Sequence, residues 1–165
     1  SAWAHCYAPD TVSLRFFNVF GPRQDPSSPY SGVISLFVAA LRAGRRPTIH
    51  GDGEQTRDFT FVGDVAAGVL AACAAPGLGG RVINLAGGGR TSLNQLFGVL
   101  RDLTGAAVDP VHGAPRPGDV RDSQADARLA SALLGFEPRV TLEDGLRRTI
   151  AWQDETAEVG PTTGH

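Results

Sequence analysis

The spacing of hydrophobic positions changes several times along this chain, and each change marks an element. Thr11 to Phe17 (TVSLRFF) is dense in β-branched and aromatic residues and runs toward the Gly21-Pro22 break, which predicts a strand. A polar loop carrying three prolines follows, from Asn18 to Gly32. The period then becomes helical: Val33, Leu36, Phe37, Ala40 and Leu41 share one face of a helix predicted over Val33 to Ala43, and Gly44 supplies its stop. Thr48-Ile49-His50 reads as a short strand. Gly51-Asp52-Gly53 reads as a tight turn, because two glycines supply the positive φ such a reversal needs.

Phe59 to Val62 is another short extended run. The Ala-rich stretch Val65 to Ala75 predicts a helix buried on most faces and ended by Pro76-Gly77. Val82 to Leu85 predicts a strand, Gly87-Gly88-Gly89 a flexible loop, and Thr91 or Ser92 the cap of a helix reaching Leu103 before Gly105. Val108 to Val111 reads as extended and Ala114 to Asp119 as a Pro/Gly loop. Asp126 opens a short helix through Leu134. Thr141 caps the last helix, with Asp144 three residues on as a partial capping box. Strands alternating with helices predict an α/β fold, largely parallel. One domain is expected over 1–155, with a flexible polar tail over 156–165.

Composition narrows the chemistry. The 165 residues carry a formal net charge of -2, 42% hydrophobic and 19% charged residues, which argues against a disordered tail and a strongly basic nucleic-acid binder. No apolar run approaches the roughly 20 residues of a membrane span, and the N-terminus does not read as a signal peptide. A soluble, cytoplasmic protein is expected, without nucleic-acid or membrane partners. Cys6 and Cys73 lie far apart without CxxC spacing, so both are expected reduced and in apolar surroundings. His5, His50, His112 and His165 show no metal-ligand spacing, and no metal is expected. All 15 basic residues are Arg, so chemistry that needs a lysine ammonium cannot be housed in these residues.

Two features could bind a ligand. Gly87-x-Gly89-x-x-Ser92, between a strand and a helix and with Asp109 20 residues past Gly89, is close to a dinucleotide-binding fingerprint. The alternative is a Gly-rich strand-to-helix loop with a Ser or Thr cap, favoured because Ser stands where close packing wants Gly or Ala. Arg23, Arg57 and Arg116 each lie in a turn-rich loop, where an arginine fork can meet phosphate oxygens, or can pair with Asp25, Asp58 or Asp119.

The order of motifs decides between these readings. Arg15-Phe16-Phe17-Asn18-Val19-Phe20-Gly21-Pro22-Arg23-Gln24-Asp25-Pro26, Gly51-Asp52-Gly53-Glu54-Gln55-Thr56-Arg57-Asp58-Phe59 and Asp64-Val65 resemble the C-terminal half of NAD-dependent nucleotide-sugar epimerases and dehydratases, in the extended short-chain dehydrogenase/reductase family. Asn84-Leu85-Ala86-Gly87, Pro115-Arg116-Pro117-Gly118-Asp119 and Leu134-Gly135-Phe136 continue the resemblance, from about Thr11 to about Trp152. Gln24-Asp25-Pro26, Ser28-Pro29-Tyr30 and Val33-Ile34 look most like UDP-glucose and UDP-N-acetylglucosamine 4-epimerases.

The resemblance implies late Rossmann elements at about 11–20 and 63–86 plus a small α/β substrate-binding region. It implies that the complete enzyme is a homodimer holding NAD and taking a UDP-sugar. Carried over by motif, Phe17 would lie beside the nicotinamide end of NAD and Asn18 would hydrogen-bond the substrate's phosphate or sugar. Gly32 and Val33 would meet the nucleotide through backbone groups, and Thr48, His50 and Gly51 would line base and ribose. Arg57 and Arg116 would clamp the diphosphate, and Asp119 would accept from ribose hydroxyls. The family's catalytic pair is a tyrosine with a lysine four residues later. Here Tyr7 and Tyr30 are followed at that spacing by Thr11 and Ile34, so these residues supply no catalytic group, and the NAD-binding glycine loop is missing too. Ser1 to Asp10 matches the family's preceding helix only loosely, with Pro9 inside it, and Ser123 stands where an aromatic is frequent. The expected function is UDP-sugar 4-epimerisation by the complete enzyme. A 4,6-dehydratase, a UDP-glucuronate decarboxylase and a non-catalytic nucleotide-sugar-binding module are the alternatives.

Overall fold

A computed structural model describes residues 11–24 and 32–159, with side chains through Thr156. In chain order the elements are β1 (Ser13–Phe16), β2 (Val19–Phe20), α1 (Val33–Arg42), β3 (Thr48–His50), β4 (Thr56–Arg57), β5 (Thr60–Phe61) and α2 (Val62–Ala74). They continue as β6 (Val82–Leu85), β7 (Thr91–Ser92), α3 (Leu93–Thr104), β8 (Val111–Gly113), α4 (Arg128–Leu134) and α5 (Leu142–Val159). The fold is mixed α/β, and it divides into two compact units, each gathered from three separate stretches of chain. Cys6, the loosely matching helix over Ser1 to Asp10 and tail residues 160–165 lie outside the described residues.

The first unit takes the described part of Ser1–Val19 with Thr56–Thr91 and Asp122–Thr141, and so contains most of both stretches expected to be late Rossmann elements. Its frame is the parallel pair β1–β6, with Ser13 opposite Val82 and Phe16 opposite Leu85. One face of that pair is covered: Ile83 and Leu85 are fully buried with Ala72, Leu78, Ala130 and Phe136. Burying each such aliphatic side chain contributes about 1.5–3 kcal/mol. Val82, on the opposite face, is 54% exposed, and Phe16, at the end of β1, is 51% exposed.

Helix α2 departs from its expected form in two ways. It begins at Val62, not Val65, so the extended run over Phe59 to Val62 shrinks to Thr60–Phe61. The earlier start places Asp64 in the first turn, where the positive end of the helix favours a carboxylate, and Asp64 also accepts the Val140 N–H at 3.1 Å. Nor is the helix buried on most faces. Asp64, Val65, Gly68 and Ala72 form one stripe at helical spacing, while Leu70 is 70% exposed. Cys73 falls just off that stripe and is exposed rather than enclosed, on the edge of a cavity lined by Leu14, Val69 and Leu78. Helix α4 starts at Arg128, two residues after Asp126, because the Asp126 carboxylate accepts the Arg128 N–H at 3.0 Å and bonds its guanidinium as well.

The second unit takes Phe20–Gln55, Ser92–Arg121 and the described part of Leu142–His165. Its frame is a second parallel pair, β3–β8, with Thr48 opposite Val111 and His50 opposite Gly113. The extended stretch expected over Val108 to Val111 is displaced to Val111–Gly113. Asp109 and Pro110 give their carbonyls to the Arg46 guanidinium instead of to a ladder. Helix α1 buries Ile34, Phe37, Val38 and Leu41. Phe37 meets Phe97 of α3 edge-on, with 6.3 Å between ring centroids. Between the two candidate caps of α3, Ser92 is used, because Gln95 stands three residues on and completes a reciprocal capping box. Helix α1 ends at Arg42, where Gly44 at φ +61° lets the Arg45 N–H reach the Ala40 carbonyl at 2.9 Å.

Helix α5 continues to Val159, past the expected start of a flexible tail after Glu155. Nothing breaks the helix before Gly160-Pro161, and the Thr156 hydroxyl donates to the Trp152 carbonyl at 3.0 Å. Arg42 fastens this helix to α1 by donating to the Ile150 carbonyl at 2.9 Å and pairing with Asp154.

Gly68 tests the packing of the first unit. A Cβ there would stand 2.8 Å from Leu85 Cδ1 and 2.9 Å from Phe136 Cδ2, both in the buried cluster. Gly68→Ala gains about 1 kcal/mol of helix propensity and pays an overpacking penalty of about 1–3 kcal/mol. Urea unfolding of the whole protein is expected to show a net loss of stability. A gain would mean that Leu85 and Phe136 yield freely.

Candidate functional site

The second unit presents a strand-and-turn assembly whose geometry is set residue by residue. Strand β3 delivers His50 into the turn Gly51-Asp52-Gly53, in which Gly51 and Gly53 hold φ of +79° and +78°. Glycine is required twice over at Gly53, where a Cβ would lie 2.1 Å from Asn94 Oδ1. The Asn94 side-chain amide spans the turn, donating to the Asp52 carbonyl at 3.0 Å and to Glu54 Oε1 at 2.6 Å. Asp52 accepts the Glu54 N–H at 3.0 Å and takes Arg121 Nη1 on both oxygens, at 2.8 and 2.9 Å. The Glu54 amide and then the Arg121 guanidinium hold its carboxyl below the usual range. Buried Gln55 donates to the His50 carbonyl at 2.6 Å.

Strand β8 completes the assembly. The Gly51 N–H donates to the Gly113 carbonyl at 2.9 Å, and His112 Nδ1–H donates to the Gly51 carbonyl at the same distance. His50 Nδ1 lies 3.2 Å from the Ala114 carbonyl. A carbonyl only accepts, so Nδ1 carries the hydrogen and Nε2 is left for other contacts.

The loop after β8 is a type II turn. The Asp119 N–H donates to the Arg116 carbonyl at 3.2 Å, Pro117 fixes φ at the second position, and Gly118 takes φ +79° at the third. The turn places Arg116 and Asp119 at its two ends. Among the described residues the Arg116 guanidinium makes no hydrogen bond or ion pair.

Two cavities open on this assembly. One, of about 440 Å³, is lined by His50, Gly51, Asp52, Arg116, Asp119 and Arg121, among others. The other, of about 410 Å³, has an apolar wall from Val33, Leu36, Phe37 and Ala40 of α1, faced by Thr48, His50 and the arginines Arg45 and Arg116. His50 and Arg116 line both. A slot with an apolar wall, cations along its edge and an aspartate next door suits a ligand with a flat apolar part, hydroxyls and a negative charge. Of the residues singled out in the sequence, Val33, Thr48, His50, Gly51, Arg116 and Asp119 line these cavities. Gly32 lines neither and sits at the N-cap of α1, with no side chain to cap it. Sequence reasoning missed Leu36, Phe37 and Arg45 as wall residues. The helical spacing showed Leu36 and Phe37, but the same spacing describes a core face.

Phe17, Asn18 and Arg57 belong to the first unit. Phe17 is half-buried, with the Arg15 guanidinium 5.9 Å from its ring centroid. Asn18 is one of two non-glycine residues at positive φ among those described, at +32°, and its side-chain amide donates to the Asp58 carbonyl at 3.2 Å. Arg57 is half-buried and donates to the Thr56 carbonyl at 2.8 Å. Asp58, beside it, is fully buried.

The glycine loop is a capped strand-to-helix connection. The Gly87 N–H donates to Thr60 Oγ1 at 2.9 Å and the Gly88 N–H to Asp58 Oδ2 at 3.1 Å, while Ser92 and Gln95 close the helix start. These donors are spent within the protein, so the loop does not fit a dinucleotide pyrophosphate. Among the described residues no group of three His, Cys, Asp or Glu is placed to hold a metal ion.

Residues 1–86 match the model of the NAD-dependent epimerase/dehydratase family. The UDP-glucose 4-epimerase of Mycolicibacterium smegmatis is 41% identical over 148 residues, covering 90% of this chain and 47% of that protein. A dTDP-glucose 4,6-dehydratase of Streptomyces griseus is 36% identical over 144 residues, covering 87% of this chain and 42% of that protein. Among solved structures, Thermotoga maritima UDP-glucose 4-epimerase with UDP-glucose superposes with a TM-score of 0.89 at 39% identity, covering 94% of this chain and 50% of that one. The chain spans about half the length of the curated relatives it matches.

Gly53 and Gly118 make a paired test, since their φ values are almost equal but only Gly53 has Asn94 in the place of a Cβ. Gly118→Ala is expected to cost the left-handed backbone penalty alone, about 1–2 kcal/mol. Gly53→Ala is expected to lower the melting temperature further. Equal losses would show that Asn94 does not fill that space.

Proposed function

The chain belongs to the NAD-dependent epimerase/dehydratase family, and we propose on that footing that it forms the substrate-binding, C-terminal half of a UDP-sugar 4-epimerase. The observation that carries the reading is the pair of turns in the second unit. His50 and Gly51 from one turn and Arg116 and Asp119 from the other line one cavity, and the apolar slot beside α1 shares His50 and Arg116. A uracil ring would lie in the slot against Val33, Leu36 and Thr48, and ribose hydroxyls would donate to Asp119. Arg116 would neutralise the diphosphate, a role that the family motif gives to Arg57 as well. Fixed cations on an anion of about two charges supply affinity and orientation together.

Asn18 would hold a phosphate or the sugar, and Phe17 would meet the nicotinamide end of the cofactor. NAD would supply the hydride acceptor and donor at C4 of the sugar. Its pyrophosphate would be held by residues outside this chain, since the glycine loop here is committed to Thr60 and Asp58. With no lysine in the chain, the acid–base pair would also come from elsewhere in the enzyme. The whole enzyme is proposed to be a cytoplasmic homodimer without nucleic-acid or membrane partners. No helix among the described residues is long and apolar enough to cross a membrane.

The second reading, a nucleotide-sugar 4,6-dehydratase, is favoured by the 36% identical dehydratase relative. Incubating the whole protein with NAD and each sugar nucleotide, and identifying products by NMR, separates the two. UDP-glucose converted to UDP-galactose supports the epimerase, a 4-keto-6-deoxy product supports the dehydratase, and no turnover of any sugar nucleotide refutes both.

Two further outcomes are expected. Arg116→Ala in the whole enzyme should raise KM for the UDP-sugar about ten- to hundredfold with little change in kcat, as expected for losing a charged hydrogen bond. An unchanged KM removes Arg116 from the diphosphate site. The 165-residue chain alone should not epimerise UDP-glucose; measurable turnover by it would show that the acid–base groups are in this chain after all.

A further inference from the structure

We propose that Asp58 is a positioning residue for substrate binding, its buried carboxylate holding in place the backbone that carries Arg57 and anchors Asn18. The proposal rests on the roles of Arg57 and Asn18 in the reading above, and every contact it uses lies within the first unit.

Asp58 is fully buried, and its Oδ2 accepts two main-chain N–H groups from separate segments, Gly88 and Ala125, each at 3.1 Å. Its own carbonyl accepts the Asn18 side-chain amide at 3.2 Å. The neighbours repeat the pattern. The Thr60 N–H donates to the Asn18 carbonyl at 3.3 Å, and the Ser123 N–H donates to the Thr56 carbonyl at 3.1 Å. Thr60 Oγ1 accepts from the Gly87 N–H, and Gln124 Nε2 donates to the Gly88 carbonyl at 2.7 Å. The stretch from Thr56 to Thr60 is thus tied on one side to Asn18, on another to Gly87-Gly88 and on a third to Ser123-to-Ala125. The Asp58 side chain takes donors from two of those segments.

That arrangement bears on two expected ligand contacts. Asn18 has one amide hydrogen committed to the Asp58 carbonyl, which fixes how its other hydrogen and its oxygen are presented. Arg57 precedes Asp58, so any shift of this backbone moves the guanidinium. Gly87 must stay unsubstituted beside it, because a Cβ there would meet the Phe59 carbonyl at 2.8 Å and Asp58 Oδ1 at 3.2 Å. Burial pushes the Asp58 carboxyl up, and the amides of Ala125 and Gly88 pull the other way. For a carboxyl raised on folding, the linked stability is fullest below the ordinary carboxylate range and declines as pH rises through the folded value. The fold therefore uses Asp58 as a hydrogen-bond acceptor and is not stabilised by its charge. A neutral amide of the same shape can take over.

The test compares Asp58→Asn with Asp58→Ala in the whole protein. The Asn oxygen can still receive both N–H groups; Ala cannot. Asp58→Asn is expected to keep KM for the UDP-sugar within about threefold, while Asp58→Ala raises it about tenfold, with kcat within about threefold and a cooperative melt retained. Should the Ala variant not fold, Asp58→Ser, too short to reach both amides, has the same expectation. Unchanged KM in the Ala or Ser variant overturns the proposal, as does a fall in kcat and melting temperature together at constant KM. Amide hydrogen exchange gives a readout without substrate: Gly88 and Ala125 should exchange faster in the Ala variant than in the Asn variant, and equal protection overturns the proposal. If the unsubstituted protein turns over no UDP-sugar while that difference in exchange appears, the functional reading has failed and the hydrogen-bonding part of the proposal stands.

Discussion

Parallel pairing between strands far apart in the chain is the constraint from which both units follow. Ser13 faces Val82 and Thr48 faces Val111, and neither pair can be joined by a tight hairpin. The connection after β1 must leave the pair, build other structure and return. Each unit is consequently sewn from three separate stretches, and its loops are anchored at both ends to elements remote in sequence. Loops held in this way fix the backbone that carries a charged side chain, so less conformational freedom is lost there when a charged ligand binds.

The same constraint explains why turn chemistry is so exacting here. A parallel strand ends in mid-course and the chain must reverse within a few residues. At the end of β3 the reversal uses two glycines at positive φ, an Asn94 bridge and the Asp52–Arg121 pair. After β8 it uses Pro117 and Gly118 at the two positions a type II turn prescribes. In both places the backbone geometry is determined by residue type, and the functional side chains beside it inherit their positions.

Elements with a strong local signal were legible in the sequence: the strand within Thr11 to Phe17, the helix after Val33, the short strand Thr48–His50 and the Gly51-to-Gly53 turn all stand where composition and spacing put them. The misses have tertiary causes. Val111 pairs with Thr48 because Arg46 takes the carbonyls of Asp109 and Pro110, a contact no local pattern encodes. Helix α2 reads as buried on most faces because alanine is apolar, yet it meets the core along one side, through Val65, Gly68, Val69 and Ala72, while Leu70 is exposed. Within the candidate site the motifs pointed to His50, Arg116 and Asp119, whereas the apolar wall from Leu36 and Phe37 needed the fold, since helical spacing reads the same for a core face and a ligand-facing one.

Burial sorts the charged residues of these motifs more sharply than residue type does. Asp58 and Asp64 are both buried and accept main-chain N–H groups from distant segments, two at Asp58 and one at Asp64, so their carboxyl oxygens are spent as acceptors in holding the chain. Arg116 is exposed, on a turn shaped by its neighbours, with its guanidinium unused among the described residues. A carboxylate enclosed by amides cannot meet a ligand, and an exposed arginine on a turn contributes little to stability. Two residues of similar motif standing, Asp58 beside Arg57 and Arg116 beside Pro117, are therefore suited to different tasks: one maintains the shape of a site and the other contacts what enters it. Motif position cannot make that distinction, because it records that a residue matters without recording which of the two demands, packing or binding, it answers.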